Sequence, residues 1–336
     1  MIKKIVIGVV IILVVTLVGI KIFTKSNDKN ALEKIKENIP SYHSECSMKI
    51  FSNDEKRVFY VTVDYQKKDD AKDNYRISIL DENVNQEQIM LKNKDGVFVL
   101  TPLLNQVYQF EGDYPLNSPK PYLYQSIISL LNGNSQVDKL KDGYLITSEV
   151  KYENYPSWKK EEAKLSKEGV PLWVNIYDSS SSLVCEITFT KVNFEVSFDD
   201  AFFSIEDNMT KSQSSVISST KKGEETDLPL LPQGIGSEYQ LKEQTVGKVE
   251  GNSVYILSYE GEKEFTLIQS VASISQDINI VKINGEYIEV YGGLSYIDNN
   301  HLKYIYNGVS YEIYSSSLSV EEMLLIATSM EVVVAK

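Results

Sequence analysis

The stretch VFYVTVDY at residues 58–65 decides the fold class of this chain. Its apolar and aromatic side chains recur at every second position, with Phe59, Val61 and Val63 on one face. This period of two is typical of a β-strand that buries one face. The stretch YRISIL at residues 75–80 repeats the pattern through Ile77 and Ile79. We therefore predict half-buried antiparallel strands in this part of the chain.

Further strands and two helices extend the pattern in both directions. One predicted helix lies between Pro121 and Gly133, where apolar residues follow a helical spacing. Another covers residues 32–39 and ends at Pro40. Alternating apolar patterns predict the remaining strands of the first unit, at residues 88–91, 97–100, 107–110, 144–152, 163–165, 172–177 and 183–196.

A change of composition divides the body of the chain. Residues 211–227 are rich in Ser, Thr, Lys and Glu, which is typical of a flexible linker. We place a first domain at residues 26–207, a linker at 208–234 and a second domain at 235–336. The predicted fold class is α+β.

The second domain is predicted to be a small β-rich unit that ends in a helix. The Asn-Gly pairs at residues 284–285 and 307–308 each lie between apolar runs, which predicts two hairpins with type I′ turns. Ser319 and Glu322 have the spacing of a capping box, so the last helix is expected to start there.

The N-terminal residues predict in which cellular compartment the body of the chain lies. Residues 5–20 are uncharged and almost entirely apolar, and they extend to about the length of a membrane-spanning helix if Lys21 snorkels. No small-x-small cleavage site follows, so we favour an uncleaved anchor at residues 1–25 over a signal peptide. Lysines flank the segment on both sides, and the charge rule leaves its orientation open. The short N-terminal tail favours a single-pass cell-membrane protein with an extracytoplasmic body.

Composition argues against several classes of function. The chain has 47 acidic and 34 basic residues and a net charge of −13, which disfavours nucleic acid as a partner. Its two His and two Cys are too few and too scattered for a zinc site. No Gly-rich phosphate loop or nucleophile elbow occurs, and the Ser-x-x-Lys matches are chance copies in a Ser- and Lys-rich chain. We predict no catalytic residue, no metal and no cofactor.

Two questions stay open at the level of sequence. Cys46 and Cys185 are either buried free thiols or a bridge between an early and a late strand, which an extracytoplasmic location would permit. The strands at residues 58–65 and 172–177 have apolar side chains on both faces. Such strands must be covered on both sides, either by packed helices or by a cavity for an apolar ligand.

The first unit resembles the LolA-like lipoprotein-carrier family. The similarity rests on IPSY at residues 39–42, where a helix runs into the first strand, and on DGVFVLTPLLNQVY at residues 95–108. It continues through LWV at 172–174 with CEITF at 185–189, and through NFEVSFDDAFF at 193–203. The second unit is similar to a domain of unknown function at the C-termini of extracytoplasmic Gram-positive proteins, on residues 311–330. The combination resembles sporulation- and germination-associated envelope proteins, the group of the germination lipoprotein GerS.

The resemblance implies a curved antiparallel half-barrel, covered by helices and often holding an apolar cavity. Our leading hypothesis is a membrane-anchored, non-enzymatic protein that holds a lipid or a lipidated partner in that half-barrel. The residues expected to contact the ligand are Phe59, Val61, Val63, Ile77, Ile79, Phe98, Leu100, Leu172, Val174 and Ile176.

Two other hypotheses belong to different classes. In the first, the half-barrel is filled by its own side chains, and the protein is a scaffold that positions or stabilises a cell-wall (cortex) hydrolase. In the second, the chain is itself a hydrolase that uses His43, His301 or a carboxylate. Because a retained anchor prevents shuttling across an envelope, literal carrier activity is not expected.

Overall fold

The computed structural model describes residues 36, 38–52, 55–68, 72–112, 114–115, 119–152, 155–217, 228–233, 235–236, 239–249, 251–290 and 293–330. The predicted anchor at residues 1–25 and most of the predicted helix at 32–39 lie outside these residues. Within the described ranges, no helix has both the length and the apolar character needed to cross a membrane.

The described residues form mostly β-structure with few helices. The strands are β1 (Tyr42–Ser52), β2 (Glu55–Gln66), β3 (Asn74–Asp81), β4 (Gln86–Asn93), β5 (Gly96–Thr101), β6 (Gln106–Phe110), β7 (Gln136–Leu140), β8 (Gly143–Glu149), β9 (Lys160–Ser166), β10 (Pro171–Tyr177), β11 (Leu183–Asn193), β12 (Tyr239–Val249), β13 (Asn252–Gly261), β14 (Phe265–Val271), β15 (Asn279–Lys282), β16 (Glu286–Tyr287), β17 (Leu294–Asp298), β18 (His301–Tyr306) and β19 (Val309–Tyr314). The α-helices are α1 (Tyr124–Ser129), α2 (Ile205–Ile217) and α3 (Val320–Thr328). Short 3-10 helices lie at Pro102–Leu104, Leu130–Asn132 and Asp200–Phe203.

The first sheet has twelve strands in the order β15-β6-β5-β4-β3-β2-β1-β11-β10-β9-β8-β7. Neighbouring strands are antiparallel except β15, which pairs with β6 in parallel. Strand β1 lies in the middle of the sheet between β2 and β11, and its Met48 lies opposite Ile187 of β11. The alternating pattern of the sequence therefore corresponds to a single large sheet with two apolar faces.

Different elements cover the two faces of this sheet. The inner face, which carries Phe59, packs against α1 and against Tyr114, Tyr122 and Trp158. Part of the outer face, along β4 to β6, packs against α2 and the preceding 3-10 helix. Both coverings explain why these strands are apolar on both sides.

The second sheet has seven strands in the order β12-β13-β14-β19-β18-β17-β16, and α3 packs on one side of it. The helix begins as expected: the Ser319 side chain accepts from the Glu322 N–H, and the Glu322 carboxylate accepts from the Ser319 N–H. The predicted capping box is confirmed, and Lys263 also binds the Glu322 carboxylate.

Only one of the two predicted Asn-Gly hairpins forms. Asn307 and Gly308 have φ values of 48° and 74°, which is the type I′ geometry, and they connect β18 to β19. The prediction at residues 284–285 is wrong, because the flanking strands β15 and β16 belong to different sheets. Gly285 is required there for another reason: a Cβ atom would lie 2.1 Å from the Ile297 carbonyl oxygen.

The two predicted domains are joined more closely than the sequence suggested. Helix α2 continues to Ile217, so the segment predicted as a linker begins with helical residues. Strand β15 belongs by sequence to the second domain but adds to the edge of the first sheet. Tyr287, Leu294 and Ile305 also enter the core of the first sheet. The domain boundaries stay a prediction.

Candidate functional site

The structure brings together most, but not all, of the predicted ligand contacts. Seven of them lie on the inner face in one continuous apolar cluster: Phe59, Val61, Val63, Ile77, Ile79, Val174 and Ile176. Phe98 and Leu100 lie on the outer face instead, against Phe203 and Met209. Leu172 is 38 % exposed, because the pairing of β10 with β9 shifts register at that residue. The sequence pattern could not separate these three, since β5 and β10 are apolar on both faces.

The inner face is packed with the chain's own side chains. Phe59, Val63 and Ile77 have 0 % exposed surface, so no space large enough for a water molecule adjoins them. Tyr42, Tyr65 and their neighbours form a chain of aromatic contacts over the middle of the sheet, with centroids of Tyr42 and Tyr65 5.5 Å apart. A ligand could reach the predicted contacts only after the covering side chains had moved.

A buried carboxyl group lies within this core. Glu161 on β9 is 2 % exposed and accepts a 2.6 Å hydrogen bond from the Tyr152 hydroxyl. Burial raises the pKa of Glu161 to about 7, because the ionised carboxylate would lose its hydration inside the core, and the Tyr152 hydrogen bond offsets only part of this effect. The sequence carried a signal that we missed: Glu161 shares the alternating face of Ala163 and Leu165.

The two cysteines are free and buried, and a bridge between them is excluded by the register. Cys46 pairs with Phe189, whereas Cys185 pairs with Ile50. Four residues of strand therefore separate the two positions, about 13 Å, and a disulfide spans at most about 7 Å between Cα atoms. The predicted possible disulfide is wrong. Burial raises the pKa of both thiols well above the ordinary range.

A buried ion pair connects the two units. Lys120, just before α1, has its Nζ 3.2 Å from Oε2 of Glu289, which lies between β16 and β17. The two side chains are 3 % and 6 % exposed. The Tyr122 hydroxyl donates to Oε1 of the same carboxylate, and Lys120 Nζ lies 5.0 Å from the centre of the Tyr114 ring. The pair therefore joins the second unit to the segment just before α1, the helix that covers the inner face.

His43 is held between two carboxylates on the outer face. Its Nδ1 lies 2.7 Å from Asp64 Oδ1, and its Nε2 lies 2.9 Å from Glu45 Oε1. The Asp64 hydrogen bond, with a smaller effect from Glu45, raises the pKa of His43 against the opposing effect of burial. Arg76 links Asp64 to Asn208 of α2. With both ring nitrogens occupied, His43 has the surroundings of a structural cation rather than of a general base.

His301 belongs to a different environment at one end of the second sheet. Its ring stacks on Tyr314 with centroids 4.2 Å apart, and its Nε2 makes a 3.2 Å ion-pair contact with Glu312 that is not aligned as a hydrogen bond. This contact, aided by Lys303, lowers the pKa of Glu312 to about 2. Among the described residues, no group of three or more His, Cys, Asp or Glu side chains is arranged to hold a metal ion.

Exposed apolar side chains cluster where the chain crosses from the second sheet to the first. The Ser275 N–H donates to the Leu104 carbonyl, so this crossing segment lies along the 3-10 helix at Pro102–Leu104. Its exposed apolar residues, with the exposed leucine of that 3-10 helix, are Leu103, Val271, Ile274, Ile278 and Ile280. We call them the crossing surface. Exposed apolar side chains that gather in one region are typical of protein contacts.

Comparison with known proteins gives one relative in sequence. The chain is 32 % identical over 305 residues to the sporulation protein YdcC of Bacillus subtilis (strain 168). The aligned region covers 89 % of this chain and 88 % of that protein. No protein-family model matches the chain. The predicted resemblance to sporulation-associated proteins is confirmed by this relative.

Solved structures give weaker likenesses. One is a LolA superfamily protein from Nitrosomonas europaea, with a TM-score of 0.30, 12 % identity, and coverage of 53 % of this chain and 98 % of that chain. Another is the complex of the CwlD amidase from Clostridioides difficile with the GerS lipoprotein, with a TM-score of 0.29, 12 % identity, and coverage of 52 % and 96 %.

Proposed function

This chain belongs to the family of the sporulation protein YdcC, and on that premise we propose that it is a non-enzymatic scaffold of the cell envelope that binds a partner protein. In this proposal, residues 1–25 anchor it in the cell membrane and the body lies outside the cytoplasm. The partner proposed is a cell-wall hydrolase that acts during sporulation or germination.

One observation carries the choice of a scaffold over a lipid carrier. The side chains expected to contact a lipid on the inner face are closed off by the chain's own residues, with Phe59 and Val63 at 0 % exposure. The crossing surface, in contrast, is accessible, and its Ile274 is 69 % exposed. Exposed apolar side chains suit a protein contact better than a single lipid chain, which needs a concave site.

The test is capture of the partner in sporulating cells of the native host. The full-length protein carries an affinity tag, partners are cross-linked in the living cells, and captured proteins are identified by mass spectrometry. We expect a cell-wall hydrolase to be enriched with the unaltered protein. An Ile274→Asp and Ile280→Asp double variant should lose it.

A matched control uses exposed apolar residues at the opposite edge of the first sheet. Val137 and Leu140 on β7 are each 40 % exposed, and their replacement by Asp should leave capture unchanged. Enrichment of no protein over an untagged strain would reject the scaffold proposal. Equal loss in both double variants would reject the crossing surface as the contact.

Binding of an apolar ligand is the second candidate, because the inner face is a continuous apolar cluster across β1 to β5 and β9 to β11. A ligand would enter only if α1, Tyr114 and Tyr122 moved away from the sheet. Native mass spectrometry of the full-length protein, after exchange into a detergent of known mass, tests this. A stoichiometric lipid or acylated peptide that survives the exchange would favour this candidate over the scaffold.

A further inference from the structure

Two tyrosines close one part of the inner face over Met90 of β4. The hydroxyl of Tyr114 lies 2.7 Å from the Met90 sulfur, and the hydroxyl of Tyr287 lies 3.4 Å from it. The two rings meet edge to face, with centroids 5.0 Å apart, and Tyr287 also packs on Phe110 of β6. Tyr114 belongs to the first unit and Tyr287 to the second. Met90 is therefore buried jointly by the two units.

The second unit also holds two further residues of this cover. One carboxylate, that of Glu289, meets the Lys120 ammonium through Oε2 and accepts from the Tyr122 hydroxyl through Oε1. The Lys120 ammonium in turn lies against the ring of Tyr114. Tyr114, Lys120 and Tyr122 lie between β6 and α1, and we call them the covering residues. Each of the three contacts Tyr287 or Glu289 of the second unit.

The charge of Lys120 couples the covering residues to the position of the second unit. A buried ion pair is favourable only while both partners stay together, because each partner alone would be a desolvated charge. If the second unit moved away, the buried Lys120 ammonium would lose the Glu289 carboxylate. Its hydration would then favour movement of the covering residues toward solvent. Two apolar side chains in place of the ion pair would create no such dependence.

Other contacts between the two units are polar as well, which is typical of surfaces that separate. The Gln86 side chain accepts a 3.0 Å hydrogen bond from the Asn307 N–H. The Arg57 guanidinium lies 5.0 Å from the centre of the Tyr306 ring. On separation, water can replace each of these polar contacts. Strand β15 is attached to β6 along its whole length, and its two ends lead into the second unit, so it is placed to act as a pivot.

We propose that the second unit is a gate over the inner face of the first sheet. The gate pivots about β15, and its departure from Met90 withdraws Tyr287 and Glu289. This withdrawal releases the covering residues and opens the apolar cluster beneath them. The arrangement described above is the closed gate. The inference goes beyond the scaffold function and does not rest on it, and it supplies the entry route that an apolar ligand would need.

The first test measures the reactivity of two neighbouring thiols in the full-length protein in a mild detergent. Met90→Cys places a thiol beneath the gate, and Leu91→Cys places one on the opposite face of the same strand. Both variants also carry Cys46→Ala and Cys185→Ala, and reaction with a maleimide is followed by mass spectrometry. We expect the Met90→Cys thiol to react at least tenfold faster and with a shallower dependence on urea, because gate opening exposes less surface than unfolding. Equal rates, or an equal dependence on urea, would overturn the proposal.

The second test identifies the contacts that break when the Met90→Cys thiol becomes reactive. Glu289→Gln removes the charge that holds Lys120 and should raise the reaction rate at least tenfold. Glu286→Gln makes the same change of charge at a nearby exposed position and should leave the rate unchanged. Phe203→Leu loosens the cover of the outer face, which gate opening leaves intact, so it should leave the rate unchanged too. No increase with Glu289→Gln, or an equal increase with Phe203→Leu, would overturn the proposal.

Hydrogen–deuterium exchange repeats the test with the natural cysteines and without a reporter thiol. Peptides that cover Lys120 and α1 should exchange at least tenfold faster in Glu289→Gln than in the unaltered protein. In Phe203→Leu the same peptides should exchange at an unchanged rate. An unchanged rate in Glu289→Gln, or equal acceleration in both variants, would overturn the proposal.

The outcome is separable from the functions proposed above. A gate that opens in a protein that retains no lipid in native mass spectrometry would support this inference and reject the apolar-ligand candidate. A retained lipid, with equal reaction rates at the two thiols, would overturn the gate and favour that candidate.

Discussion

Replacing Glu161 by Gln should remove a pH-dependent loss of stability. The folded protein holds this carboxyl at a pKa of about 7, whereas its ordinary value is 4.5. Below pH 4.5 the group is protonated in both states and has no effect on the pH dependence. As the pH rises from 4.5 to 7 the unfolded chain ionises first and is favoured, so stability falls. Between pH 5 and pH 8, this difference in pKa lowers the free energy of unfolding by about 2.5 kcal/mol.

The assay is urea unfolding of the full-length protein in a mild detergent at pH 5, 6, 7 and 8. Fluorescence of the buried Trp158, which stacks on Tyr155 at 4.3 Å, reports unfolding. Gln keeps the acceptor for the Tyr152 hydroxyl, so the variant should differ from the unaltered protein by no more than about 1 kcal/mol at pH 5. At pH 8 it should be more stable, and the difference between the two midpoints should be about 0.8 M larger than at pH 5 for a urea slope of about 3 kcal/mol/M.

The control is Glu195→Gln at an exposed position, which should leave the difference between pH 5 and pH 8 unchanged. The raised pKa of His43 also makes stability depend on pH, but His43 is present in every variant and its effect cancels in the comparison. If Glu161→Gln and the unaltered protein have pH profiles parallel within about 0.5 kcal/mol, Glu161 is ionised in the folded core and the reasoning fails.

Three further variants test other contacts by the same unfolding assay. Glu289→Ala should cost about 3–5 kcal/mol because Lys120 is left buried without its carboxylate, and a Lys120→Met and Glu289→Met double variant should recover most of it; no recovery would show that the pair is not the cause. Glu312, with a pKa lowered to about 2, gives stability that is present above pH 4.5 and lost toward pH 2, so Glu312→Gln should flatten the profile by about 2 kcal/mol between pH 5 and 3. Gly285→Ala should destabilise by more than about 2 kcal/mol because its Cβ would lie 2.1 Å from the Ile297 oxygen, and a loss below about 0.5 kcal/mol would contradict that packing.

Local signals predicted the elements of this protein well. The alternation at residues 58–65 and 75–80 corresponds to β2 and β3, and their buried side chains are those expected. The capping box at Ser319 and the turn at residues 307–308 also formed as predicted. Each of these patterns depends on residues a few positions apart. The interactions that form these strands, this helix start and this turn can therefore be read from the sequence alone.

The candidate site was predicted less completely for a physical reason. The sequence identified seven inner-face residues, but Phe98 and Leu100 fell on the opposite face. When a strand is apolar on both sides, its sequence does not show which side will pack against α1 on the inner face and which against α2 on the outer face. Glu161 was missed because its burial depends on strands and loops that only the assembled sheet brings over it.

The sequence by itself determined that this chain is a strand-rich, acidic protein with alternating apolar faces and a capped last helix. Only the tertiary structure decided that β1 pairs with β11, that β15 leaves its own unit to join β6, and that the inner face is closed by the chain itself. These features are contacts between residues far apart in the chain. Their energies come from pairing and burial across the sheets, which no local pattern of residues encodes.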